Sequence, residues 1–147
     1  MNKEKRVEER ILLLMNEFSN LNGWEDRYKK IIEKGKDLEP LPEQFKVEKN
    51  KVKGCQSQVW LIAELNTHGE IVFRADSDAL IVRGLIAILL QVYTCASPTE
   101  ILQTAPDFLQ KMGFNNNLSP SRTNGLYSMV KQINYYALAY KALLEKK

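Results

Sequence analysis

The segment with the most chemical promise is Lys51-Val52-Lys53-Gly54-Cys55-Gln56-Ser57-Gln58. It sets a cysteine behind a glycine, which leaves the backbone free to turn there, and before polar residues that do not fill cores. Lys51 and Lys53 bring positive charge to the neighbourhood, which favours thiolate over thiol. A thiolate is the form that attacks electrophilic sulfur. Local texture leaves a second reading open, that of a buried cysteine acting as a small hydrophobe.

The other reactive side chains are fewer and less well placed. Cys95 lies 40 positions further on, at the end of an apolar run, and reads as structural. His68 is the one histidine and falls in turn material, Asn66-Thr67-His68-Gly69, where nothing orients it as a base for Cys55. Two cysteines and one histidine are too few for a four-ligand zinc site or a cluster held wholly by this chain, so no metal is expected. Arg83 interrupts an apolar helix and must find a carboxylate or reach solvent; a snorkelling arginine is the reading adopted. Trp24 and Trp60 read as core.

These residues need elements to position them. A length of 147 residues suits one domain over 1–147, with 44% hydrophobic and 27% charged residues in globular proportion. The net charge of +3 is too small to suggest a nucleic-acid partner. A charged N-terminus without an apolar stretch behind it argues against a secretory signal. The most apolar run, 79–92, is too short to span a bilayer, so a cytoplasmic protein is expected.

Val7, Ile11, Leu14 and Phe18 share a helical stripe, predicting a helix over 3–20. Asn22 with Glu25 resembles a capping pair for a second helix over 24–34, with Gly35 as its stop. Pro40 and Pro42 mark a loop over 36–51. Residues 58–65 and 70–75 read as an antiparallel hairpin, with a third strand over 45–49 as a weaker pattern. Asp76-Ser77-Asp78 offers caps to the apolar helix that follows. Ser97-Pro98-Thr99-Glu100, with Glu100 closing a capping box, and Ser119-Pro120 carry helix-start signals, and the second opens a long terminal helix through Leu126, Met129, Val130, Ile133, Ala137, Tyr140 and Leu144. Helices, a hairpin and more helices give an α+β fold, an antiparallel sheet covered by helices on one face.

Gly54-Cys55-Gln56-Ser57-Gln58-Val59-Trp60 closely resembles the cysteine loop of SufE-type sulfur acceptors, partners of SufS- and CsdA-type cysteine desulfurases. Asp76-Ser77-Asp78-Ala79 with Ile81-Val82 and Gly84-Leu85 is similar to that family's helix start. Leu118-Ser119-Pro120-Ser121-Arg122 with Gly125-Leu126 is similar to the start of its last helix, and Trp24-Glu25 with Tyr28 and Ile31-Ile32 adds a weaker match. The resemblance spans residues 22 to 126.

It implies an IscU-like α+β fold and a sulfur carrier. Cys55 matches the family cysteine that takes the outer sulfur of a desulfurase persulfide, stimulates the desulfurase, and hands sulfur to an iron–sulfur scaffold protein. Arg122 matches a family arginine whose charge would favour thiolate and persulfide anions. Gly54, Gln56, Ser57 and Asp78 match positions that face the desulfurase. No cofactor is implied, since the pyridoxal phosphate belongs to the desulfurase, and neither nucleic acid nor membrane is implied as a partner. Gln110 stands where many members carry a glutamate, which removes any acid–base role from that position. A cluster scaffold and a docking module without chemistry remain as alternatives on the same fold.

Overall fold

A computed structural model describes residues 6–146. Helix α1 (Val7–Ser19) buries Val7, Leu14 and Phe18, the stripe anticipated from their spacing; positions 3–5 of the expected helix lie outside the described residues. Arg10 is buried on that same helix, where its guanidinium donates to the carbonyls of Val92, Thr94 and Cys95. Those carbonyls lie in and just after the last turn of helix α3 (Leu80–Tyr93), where helical acceptors run out of intrahelical donors.

Helix α2 (Gly23–Lys36) runs beyond the expected stop. Gly35 lies inside it, and the reason for glycine is tertiary: a Cβ there would meet the Gly84 amide nitrogen of α3 at 2.6 Å. A Cβ on Gly84 would in turn overlap the Ile31 carbonyl oxygen. Two small residues therefore let α2 and α3 cross backbone to backbone. Asn22 does occupy the cap position of α2, but its side chain makes no capping hydrogen bond.

The hairpin forms as expected, with strands β1 (Val59–Leu65) and β2 (Ile71–Ser77) antiparallel in the register Val59 to Ser77 through Leu65 to Ile71. The Asn66 side chain closes the turn by accepting from the amides of His68 and Glu70. Val59, Leu61, Ile71, Phe73 and Ala75 point from one face into the helical core, as strand alternation requires. The third strand over 45–49 does not form. Two 3-10 turns, Glu43–Phe45 and Glu48–Asn50, take its place, and pairing is reduced to a bridge between Lys51 and Trp60. The proline loop instead folds over the second sheet face, where Lys46 lies 5.6 Å from the Trp60 ring centre and Arg74 sits over Phe45.

Asp76 is a strand residue there, 1% exposed, and not a helix cap. Its carboxylate accepts from the Leu41 and Ser77 amides and pairs with Arg83, while Lys46 approaches to 3.5 Å. Arg83 accordingly does not snorkel. It spends its remaining donors on the carbonyls of Gly35 and Leu38, tying the end of α2 and the loop behind it to the sheet. Burial alone would raise the Asp76 pKa, but those two amides and the Arg83 and Lys46 charges outweigh it and hold it low.

Short helices α4 (Pro98–Leu102), α5 (Asp107–Lys111) and α6 (Phe114–Asn117) lead to the long α7 (Pro120–Glu145). The Ser97 and Ser119 hydroxyls accept from the amides of Glu100 and Arg122, so both serines cap their helices as expected. Glu100 does not close its box; its carboxylate reaches the Val7 amide at 2.7 Å and caps α1 instead. Leu126, Met129, Val130, Ile133 and Ala137 of α7 complete the core. Among the described residues no helix is long and apolar enough to cross a membrane.

Candidate functional site around Cys55

The cysteine loop joins the proline segment to β1, and contacts on both sides hold it. Val52 donates to the Val59 carbonyl at its base, while the Gln58 amide donates to the Asp78 carboxylate at 3.1 Å. Gly54 has φ +92, a conformation side chains rarely adopt, and a Cβ there would meet the Ser128 hydroxyl of α7 at 2.5 Å. Glycine is needed twice over, for the turn and for the approach to α7.

Beyond the turn, Cys55 is half-buried and its thiol donates to the Gly125 carbonyl of α7 at 3.6 Å. Gly125 also keeps α7 off the sulfur, since a Cβ there would touch Sγ at 3.4 Å. The thiol opens into a cavity of about 340 Å3. Gln56 and Ser57 line it on the loop side, Ser119, Ser121 and Arg122 at the first turn of α7, and Val82, Leu85 and Met129 at its floor. The polar wall is the positive end of a 26-residue helix with an arginine on it. The floor is hydrocarbon.

The cysteine's surroundings set its resting state. Burial pushes the Cys55 pKa up, so the isolated chain holds a thiol. The anticipated help from Lys51 and Lys53 is not realised, because these lysines line a separate groove behind the loop.

The structure brings Cys55, Gln56, Ser57 and Arg122 onto one cavity. Gly54 faces the groove on the other side of the loop, and Asp78 is exposed at the loop's base. Gln110 is exposed on α5 and is not among the cavity residues. Cys95 sits in the turn after α3 with φ +56, its amide donating to the Ile71 carbonyl. His68 occupies the far hairpin turn, roughly 20 Å along β1 from the cysteine end. Neither can act with Cys55. The sequence reading named Ser119, Ser121 and Gly125 only as part of a helix start and did not place them beside the cysteine. The spacing of Arg122, Gly125, Leu126 and Met129, three and four apart, was the available signal that they share a helix face.

A family model described as SufE, Fe-S metabolism associated domain, matches residues 13–137. This chain belongs to the SufE family. An uncharacterized SufE-like protein of Rhizobium etli is 45% identical over 82% of this chain and 84% of its own length. One from Synechocystis sp. is 42% identical over 78% of this chain and 72% of its own. The solution structure of a hypothetical protein from Thermus thermophilus superposes with a TM-score of 0.75, covering 90% of this chain and 96% of that one. At 19% identity it shows a shared fold only. The SufE match associates the chain with iron–sulfur metabolism and accords with the resemblance carried by its cysteine loop.

Proposed function

We propose that this SufE-family chain is a cytoplasmic sulfur carrier and activator for a SufS-type cysteine desulfurase, with no turnover of its own. The observation that carries the reading is the seat of Cys55: a thiol held against the Gly125 carbonyl, facing a cavity large enough for one more sulfur atom. On docking, the Cys55 thiolate attacks the outer sulfur of the desulfurase persulfide. A new S–S bond forms on Cys55, the old one breaks, and the desulfurase cysteine leaves as thiolate. The persulfide then sits beside Arg122 and the first turn of α7, where positive potential favours its anion. The apolar floor limits water around it. Gly54, Gln56, Ser57 and Asp78 meet the desulfurase, and an iron–sulfur scaffold protein receives the sulfur.

The raised thiol pKa fits this role, since an idle carrier that stays protonated resists oxidation until its partner arrives. Among the described residues no three of His, Cys, Asp or Glu gather as a cluster scaffold would need. The test is desulfurase turnover with the chain added. Cys55→Ser is expected to abolish stimulation while Cys95→Ser preserves it. Equal stimulation by all three proteins would leave only a docking module.

A further inference from the structure

Behind the cysteine loop, on the side away from the Cys55 cavity, lies an open groove of about 550 Å3. Lys49, Lys51, Lys53 and Lys131 surround it, with Gly54 and Tyr135 among its walls. Of the four lysines only Lys51 has a carboxylate partner among the described residues, Glu48 at 3.3 Å. Lys131 instead lies 5.9 Å from the Tyr135 ring centre, and that residue is 56% exposed. Four of the chain's 21 lysines and arginines line this one concavity, and no aspartate or glutamate is among its lining residues, so its charge is locally one-signed on a chain of net charge only +3. Nothing in the core needs it.

We infer that this groove docks an acidic segment of a protein that exchanges sulfur with Cys55, the lysines pairing its carboxylates and Tyr135 packing an apolar side chain. Charge complementarity selects an acidic occupant. The exposed Tyr135 ring beside the Lys131 ammonium offers an apolar face for a peptide side chain. The near-neutral chain, with no arginine and a single aromatic in the groove, argues against nucleic acid. Gly54 connects the two sites. It forms a wall of the groove and precedes Cys55, so an occupant bears directly on the turn that carries the reactive cysteine. The identity of the partner rests on the carrier reading; the groove's preference for acidic peptide does not.

The test uses a fluorescein-labelled, glutamate-rich peptide with a central leucine, titrated with the full chain and read by anisotropy. Lys49→Glu with Lys131→Glu leaves two charges of each sign around the groove. Both lysines are exposed, and Lys49→Gln with Lys131→Gln serves as a gentler second variant. Lys111→Glu with Lys146→Glu, remote from the groove, is the control. The expected result is peptide binding weakened roughly tenfold by the first pair, less by the second and not by the control. It should also weaken as ionic strength rises toward about 0.5 M. Equal binding by all variants overturns the inference, as does an RNA oligonucleotide that outcompetes the peptide in a groove-dependent way. Sulfur loading of Cys55, followed in parallel, separates the two ideas. Normal loading with peptide binding blind to the groove sinks only this inference; absent loading with groove-dependent binding sinks only the carrier.

Discussion

Cys55 and Gly125 meet where the cysteine loop crosses α7, the thiol donating to the glycine carbonyl at 3.6 Å and the missing Cβ leaving Sγ without a methyl in contact at 3.4 Å. Glycine in a helix interior ordinarily costs about 0.5–1 kcal/mol relative to alanine. Here that cost supports a function. Gly125→Ala is expected to fold with stability unchanged or raised by up to about 1 kcal/mol in denaturant unfolding. It should also slow sulfur loading of Cys55, because the new methyl stands against Sγ. Loss of stability together with unchanged loading would refute this account of the contact.

The resting state of the thiol has its own test. Burial places the folded pKa of Cys55 above that of the unfolded chain. Alkylation by iodoacetamide as a function of pH, in a Cys95→Ser background, should therefore show a higher midpoint for the native chain than for the chain in urea. Folding binds the proton more tightly, so the matching stability contribution is intact below the unfolded thiol's range, about 8.5, and is lost as pH rises through it toward the folded value. A native midpoint below the denatured one would mean that nearby cations, and not burial, govern the site.

Much of the site's support is legible in the sequence, and the departures share a cause. The hairpin, the Ser97 and Ser119 caps and the α7 stripe depend on neighbours within a few residues, and local pattern reveals such relationships. The cysteine loop stands out because Gly54 and the polar residues after Cys55 suit neither core nor regular structure. Asp76 escapes the local pattern because its side chain answers to Leu41, 35 positions away, and to Arg83, although Asp-Ser-Asp before a helix matches a cap. Gly35 resembles a stop because the crossing with Gly84 is invisible along the chain. Residues 45–49 have strand-forming character, but the 3-10 turns let Phe45 and Lys46 cover Arg74 and Trp60.

That crossing yields a stability prediction. A Cβ at position 84 would overlap the Ile31 carbonyl, a backbone atom that cannot step aside. Gly84→Ala should destabilise the fold by about 3 kcal/mol or more, since α2 and α3 must separate. Chemical denaturation measures it. A loss under about 1 kcal/mol would show that the helices have slack the structure does not suggest.

Asp76 predicts a pH dependence. Its folded pKa lies below its unfolded value, so its contribution is present above the ordinary aspartate range of about 3.9 and is lost as pH falls through the folded value. The unfolding free energy should drop on acidification below about pH 4, and less steeply in Asp76→Asn. Asp76→Ala, which strands Arg83 with 19% of its side chain exposed, is expected to cost about 3–5 kcal/mol at neutral pH. Identical acid profiles for wild type and Asp76→Asn would remove the ion pair from the account.

The central claim is that Cys55 carries sulfur, and intact mass spectrometry under non-reducing conditions tests it most directly. The chain is incubated with an active SufS-type cysteine desulfurase and free cysteine, beside Cys55→Ser and Cys95→Ser. The account predicts a species one sulfur atom heavier in the wild type and in Cys95→Ser, absent from Cys55→Ser and removed by reductant. No adduct on any of the three, or an adduct that survives Cys55→Ser, would contradict it.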